Sequence, residues 1–285
     1  MDAQPERDQP DSGQRRGMVG GRNLPVAIAV GVILAVLFLG TLFWRTEAFV
    51  LVITVLAGIA AVEVTWVIGR AGTRVLLGPL LIGVVVSVWG AFLLGGAGQA
   101  FGITVLFLSS VLWLLVDRQR SAVVNTLAAT MLVGVWLALL ASYASRLVVR
   151  EDGALVVLAT IGAVILTDIG GYAFGVPFGK HKIVPSISPG KSWEGLIGGL
   201  LVATILAAVV LPVLGDTFTP VSAAVVALGT GLAGFLGDLA ESMIKRDLGV
   251  KDLGGVLPGH GGVLDRVDGI LVALPVAYYG LWLFG

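Results

Sequence analysis

Apolar blocks about as long as a bilayer is thick recur along almost the whole chain. A helix needs roughly 20 consecutive apolar residues to cross the hydrocarbon layer. Of the 285 residues, 57% are hydrophobic and only 13% are charged. Soluble domains normally carry about a quarter charged residues. The sequence therefore predicts an all-α polytopic integral membrane protein, for most of which the solvent is lipid.

The apolar blocks predict about nine transmembrane spans. With the N-terminus in the cytoplasm, fifteen of the 18 Lys and Arg residues fall in inner segments. Cytoplasmic loops of membrane proteins carry such an excess. The pattern therefore predicts a cytoplasmic N-terminus and a C-terminus outside. The predicted spans are Leu24–Trp44, Ala48–Ile68, Val75–Leu94, Ala100–Val116, Ala122–Ala141, Ala154–Phe174, Trp193–Leu214, Pro220–Ala240 and Ile270–Phe284.

The chain divides into three predicted regions. Residues 1–23 are polar and are interpreted as a disordered cytoplasmic tail. Residues 24–150 hold about five plain spans. Residues 151–285 hold about four spans and two longer inner loops, and six of the 18 acids lie between 238 and 268. We therefore expect the catalytic membrane domain at 151–285, with its active-site loops on the cytoplasmic side.

Net charge and cysteine content exclude several classes of function. The formal net charge is zero, so nothing indicates a nucleic-acid partner. There is no cysteine, which excludes disulfides, thiolate nucleophiles and Cys-ligated zinc.

One face of the eighth predicted span is polar. Gly234, Asp238, Ser242 and Lys245 are spaced by four, four and three residues and therefore share a helical face, with Glu241 beside them. A carboxylate at this depth is costly unless it is paired, hydrated or bound to a cation. Two interpretations stay open: a cation site that includes Asp238, or a structural Glu241–Lys245 pair.

The loop between Lys251 and Asp268 is rich in glycine and contains a proline, which excludes a regular helix. We expect its backbone N–H groups to face a ligand, because amides at turns and helix starts bind phosphate. Asp265 and Asp268, at the head of the last span, could present two carboxylates to one Mg²⁺. Alternatively, one acid caps the helix, which leaves the second acid and the His-Gly-Gly at 260–262 unexplained.

A third polar segment leads into the seventh span. Lys191 and the hydroxyls of Ser188 and Ser192 lie at a predicted helix start, where they could receive a phosphate. Pro185 occupies the place of the first glycine of a P-loop, so the segment is no Walker A motif. The alternative interpretation is an interfacial anchor at headgroup level.

Two acids lie inside predicted spans. Asp168, in the sixth span, is interpreted as functional because an unpaired carboxylate is expensive there. Glu63, in the second span, is isolated in sequence and is interpreted as an interhelical hydrogen-bonding residue.

Residues 242–268 carry an extended pattern: Ser-x-x-Lys-Arg, four residues, Lys-Asp-x-Gly, and then Leu-Pro-x-His-Gly-Gly-x-x-Asp-Arg-x-Asp. This pattern resembles the signature of the phosphatidate cytidylyltransferase (CDP-diacylglycerol synthase) family at every fixed position. The segments 178–182 and 188–195 resemble that family as well. The resemblance covers roughly residues 165–285.

The resemblance implies Mg²⁺-dependent transfer of CMP from CTP to phosphatidate, with pyrophosphate released, in the cell (inner) membrane and on its cytoplasmic face. It also makes a homodimer plausible. A second cation could bind beside Mg²⁺ and act together with it. Under this hypothesis the metal ligands are Asp238, Asp265 and Asp268, with Asp168 a weaker candidate. Lys245 joins Asp238, Asp265 and Asp268 as catalytic. The substrate-binding residues are Ser188, Lys191, Ser192, Ser242, Arg246, Lys251, His260, Gly261, Gly262 and Arg266.

Two other functions are weighed against this one. A secondary transporter also uses intramembrane acids and broken helices, but it predicts groups near mid-membrane and repeated halves. A CTP-dependent lipid kinase of related architecture would transfer the γ-phosphate and release CDP.

Overall fold

The computed structural model describes residues 18–19, 22–118, 121–257 and 261–284, with side chains from Ile28 onward. Most of the predicted tail and His260 therefore lie outside the described residues. At the start of the described chain, Met18–Val19 (β1) pairs antiparallel with Arg22–Asn23 (β2).

All other regular structure in the described chain is helical. A π-helical turn at Val135–Leu139 joins α4 to α5, so these two form one continuous rod. The helices are α1 Leu24–Trp44, α2 Thr46–Arg70, α3 Leu77–Val116, α4 Val123–Gly134, α5 Leu140–Val148, α6 Gly153–Phe178, α7 Trp193–Leu214, α8 Pro220–Asp247 and α9 Leu264–Phe284.

Seven helices in the described chain are long and apolar enough to cross a membrane, with α4 and α5 counted as one. The described side chains of α1, over Ile28–Trp44, form a shorter apolar helix. Large apolar side chains such as Val116 and Val213 are 82% and 83% exposed. These features make the chain a polytopic membrane protein, although length and composition alone do not establish the predicted count of nine spans.

Helix α3 reverses direction at Gly95. Its φ of +62° and ψ of −135° are open mainly to glycine. The two arms then pack closely: a Cβ on Gly90 would lie 2.6 Å from the carbonyl oxygen of Gly98, and one on Gly83 would lie 2.8 Å from Leu106. The arms are therefore antiparallel, as two separate spans would be.

One large hydrophobic cluster joins the first and second halves of the chain. It contains buried residues of α2, such as Phe49, together with Leu147 of α5 and Leu264 and Leu274 of α9. The division at residue 150 stays a prediction.

Glycines bring α6, α8 and α9 together. A Cβ on Gly237 would lie 2.8 Å from the backbone oxygen of Asp268, and one on Gly269 would lie 2.9 Å from that of Gly234. A Cβ on Gly234 would also lie 2.8 Å from Val164 of α6. Small residues allow this close backbone approach in membrane helices, and here it places the acidic end of α8 beside the start of α9.

Candidate active site

A polar cavity of about 240 Å³ lies where α6, α8 and the start of α9 meet. The structure brings all four predicted metal ligands to this one cavity. Its charged lining residues are Asp168, Asp238, Glu241, Lys245, Asp265, Arg266 and Asp268.

Three carboxylates in this cavity form a candidate metal site. Oxygens of Asp238, Glu241 and Asp268 all lie within 4.8 Å of one another. Glu241 is 1% exposed and Asp268 is 9% exposed. Carboxylates this close repel each other unless they share a proton or a cation. The set suits a hard divalent cation, which prefers oxygen ligands.

Glu241 is the residue that the sequence-based site lacked. Its buried Oε1 accepts no hydrogen bond from the part of the chain that the structure describes. A bound cation would satisfy such an atom. The available sequence signal was the i, i+3 spacing from Asp238, which places both acids on neighbouring positions of one helix.

Lys245 links two acids of the cavity. Its Nζ lies 2.7 Å from Glu241 Oε2 and 3.0 Å from Asp265 Oδ1. The predicted Glu241–Lys245 pair is therefore present, and it coexists with the carboxylate cluster. Asp265 Oδ1 accepts from Lys245, and both Asp265 oxygens also accept from backbone amides. The metal-binding role of Asp265 stays a prediction.

The segment before α7 reaches across to α8. Lys191 Nζ lies 2.7 Å from Asp238 Oδ2 and 4.3 Å from the centre of the Phe235 ring. Arg246 Nε donates to the backbone oxygen of Ile187 at 3.3 Å. The predicted loop lysine therefore meets the predicted metal ligand Asp238, a contact across 47 residues of sequence.

The other predicted substrate-binding residues differ in their burial and in their hydrogen-bond partners. Ser242 Oγ donates to Asp238 Oδ1 at 3.4 Å. Ser192 is buried and accepts from the backbone N–H of Gly195 as the N-cap of α7. Ser188 is half-buried in the same loop, while Lys251 is exposed at the start of the next. Their contacts with substrate stay predictions.

Glu63 of α2 binds the loop between α8 and α9. Its Oε1 accepts from the backbone N–H of Gly255 and Val256, and its Oε2 accepts from that of Val263. The interpretation of Glu63 as an interhelical hydrogen-bonding residue is wrong, because its partners are loop amides.

Asp265 takes two more amides of this loop. It accepts from the backbone N–H of Leu253 at 3.1 Å and of Gly262 at 2.8 Å. The expectation that the loop amides face a ligand is therefore wrong for five of them, because buried carboxylates already use those donors. Gly261 adopts φ +85°, a conformation that suits glycine.

Comparison with known proteins identifies the family of the chain. Residues 25–284 match the Cytidylyltransferase family. The chain is 41% identical over 278 residues to the phosphatidate cytidylyltransferase of Mycobacterium leprae, covering 90% of this chain and 87% of that protein. It is 38% identical over 278 residues to that of Mycobacterium tuberculosis, covering 92% and 84%.

A shorter match covers less than half of the chain. The chain is 47% identical over 121 residues to the phosphatidate cytidylyltransferase of Haemophilus influenzae, covering 39% of this chain and 40% of that protein. Because the family match spans nearly all of the described helices, the chain belongs to the cytidylyltransferase family.

Proposed function

We propose that this chain is a phosphatidate cytidylyltransferase, which joins CMP from CTP to phosphatidate and releases pyrophosphate. The observation that carries the proposal is a polar cavity that adjoins an apolar one. The apolar cavity, of about 490 Å³, lies among α1, α2, α5, α6 and α9. Ile165, Arg266 and Ile270 line both cavities. This combination suits a substrate with a charged phosphate head and apolar acyl chains.

The proposed reaction needs charge compensation more than proton transfer. A phosphate oxygen of phosphatidate, already anionic near neutral pH, forms a bond to the α-phosphorus of CTP, and the bond from that phosphorus to the β-bridging oxygen breaks. Lys191 and Lys245 would donate to phosphate oxygens, and Arg266 could do so in bidentate fashion at the junction of the two cavities.

The donor set fits Mg²⁺. Asp238, Glu241 and Asp268 would hold it, with Asp168 and Asp265 as further carboxylates around the same cavity. When bound, Mg²⁺ would neutralise phosphate charge and stabilise the negative charge that develops at the α-phosphorus. A second cation would add to this compensation.

We also propose nine membrane crossings, with the N-terminus and the active site on the cytoplasmic side of the cell (inner) membrane. The reversal of α3 at Gly95 supports two crossings by that helix. The excess of Lys and Arg in inner segments supports the orientation. A homodimer, suggested by the family resemblance, would be tested by cross-linking the protein in vesicles.

The decisive experiment follows two labels of CTP. Purified protein in vesicles that contain phosphatidate receives Mg²⁺ and CTP labelled at either the α- or the γ-phosphorus. We expect the α-label in the lipid and the γ-label in pyrophosphate. The γ-label in the lipid would instead show a lipid kinase, and uptake of intact CTP without turnover would show a transporter.

Metal removal gives a separate prediction. We expect a chelator such as EDTA to reduce CDP-diacylglycerol formation by roughly 100-fold or more, because phosphate charge would then lack its main compensation. Excess Mg²⁺ should restore the rate. Full turnover in the chelator, with metal content verified by elemental analysis, would contradict the proposed cation site.

A further inference from the structure

Glu63 lies among the N-terminal helices, for which the sequence indicates no chemical role. We infer that Glu63 is a positioning residue that holds the loop between α8 and α9 in its active arrangement. The inference deepens the proposed function and rests on it. It concerns the described parts of that loop, Leu253–Leu257 and Gly261–Val263, called the α8–α9 loop below.

The carboxylate of Glu63 is buried, and its hydrogen-bond partners among the described residues are backbone amides. It accepts hydrogen bonds from the N–H groups of Gly255 at 3.1 Å, Val256 at 2.9 Å and Val263 at 2.7 Å. Glu63 is 5% exposed, and within the described chain it forms no ion pair. A buried carboxylate without a cation is costly unless several donors reach it. If the α8–α9 loop moved away, the buried carboxylate of Glu63 would therefore lose its hydrogen-bond donors.

Two glycines leave room for the Glu63 carboxylate. A Cβ on Gly262 would lie 2.8 Å from Glu63 Oε2, and one on Gly254 would collide with the same carboxylate. Gly254 and Gly262 also approach each other closely, since a Cβ on Gly262 would lie 2.8 Å from the Cα of Gly254. The loop thus encloses the side chain of Glu63.

The same loop is tied to the active site on its other side. The N–H groups of Leu253 and Gly262 donate to Asp265, which in turn lies 3.0 Å from Lys245 Nζ. Val263, which binds Glu63, directly follows Gly262 in the chain. A shift of the loop away from Glu63 would therefore move the donors that orient Asp265. Glu63 acts on the chemistry through these neighbours and touches no proposed reacting group itself.

The test compares Glu63→Gln with Glu47→Gln, which changes an exposed acid of the same helix. Both proteins are reconstituted at full length, and the amide exchange of peptides covering 251–263 is followed by mass spectrometry. In Glu63→Gln we expect exchange in this loop to rise at least about tenfold, because three acceptor contacts are weakened. We expect kcat to fall roughly 10- to 100-fold as the site is misplaced, with partial rescue in Glu63→Asp. Glu47→Gln should match the wild type in both measurements.

Two results would overturn the inference. One is loop exchange in Glu63→Gln equal to that of the wild type. The other is a loss of turnover that merely follows the fraction of unfolded protein. Should Glu63→Gln fail to fold, Gly254→Ala and Glu63→Asp decide the matter as a pair. The shorter Asp makes room for the new Cβ, so we expect the combined loss to be smaller than the product of the single losses, and a simple product would contradict the inference.

The exchange measurement does not depend on turnover. A wild-type protein that makes no CDP-diacylglycerol would therefore refute the proposed function, while the exchange of the loop would still report on the role of Glu63.

Discussion

Asp238→Asn should reduce CDP-diacylglycerol formation by roughly 100- to 1,000-fold. Asn keeps the size of the side chain but loses the negative charge. Asp238 belongs to the carboxylate cluster with Glu241 and Asp268, and it holds Lys191 at 2.7 Å. The substitution therefore weakens the cation site and releases the lysine together. The measurement is the rate of transfer of α-labelled CMP to phosphatidate by the purified protein in vesicles.

The control for this variant is Asp247→Asn, an exposed acid at the end of the same helix. It should retain normal turnover. Asp238→Asn should unfold at nearly the same temperature as the wild type, because the relief of repulsion between neighbouring carboxylates opposes the loss of the Lys191 ion pair. Near-normal turnover in Asp238→Asn at low Mg²⁺ would remove this residue from the proposed site.

Lys245→Met should abolish turnover and destabilise the protein at the same time. The side chains of Lys245, Glu241 and Asp265 are 15%, 2% and 4% exposed. Breaking a buried ion pair leaves uncompensated charge and costs about 3–5 kcal/mol. We therefore expect a clearly lower unfolding temperature, together with a loss of CMP transfer of at least about 100-fold, because a phosphate ligand is also removed.

A second substitution separates these two effects. In Lys245→Met combined with Glu241→Gln, one of the stranded charges is gone, so we expect part of the lost stability to return while turnover stays absent. Arg74→Met is the matched control, because it breaks the more exposed Arg74–Asp117 ion pair, where the expected cost is only about 0–1 kcal/mol. Full activity in Lys245→Met would contradict its role in catalysis.

Local spacing explains what could be predicted from the sequence. The predicted polar face of α8 is confirmed, because Ser242 donates to Asp238 and Lys245 pairs with Glu241, each four residues away. Helix periodicity alone sets such contacts. The apolar blocks likewise predicted the helices, although α9 begins at Leu264, six residues before the predicted span. Its first turns therefore carry Asp265 and Asp268.

Long-range packing explains what could not be predicted. The amides that Glu63 accepts from are 192 to 200 residues away, and nothing in the spacing of either segment indicates the other. The loop was expected to offer free amides, yet two buried acids take five of them.

The sequence by itself therefore determined that the chain is a polytopic membrane protein, where its helices run and which family pattern its C-terminal half carries. Each of these depends on residues that are neighbours along the chain. Only the tertiary structure decided that Glu241 joins Asp238 and Asp268, that Lys191 reaches Asp238, and that Glu63 holds the α8–α9 loop. In each pairing, several acids could accept from the same donors. Which donor and acceptor pair depends on which groups the packed helices bring within hydrogen-bonding distance.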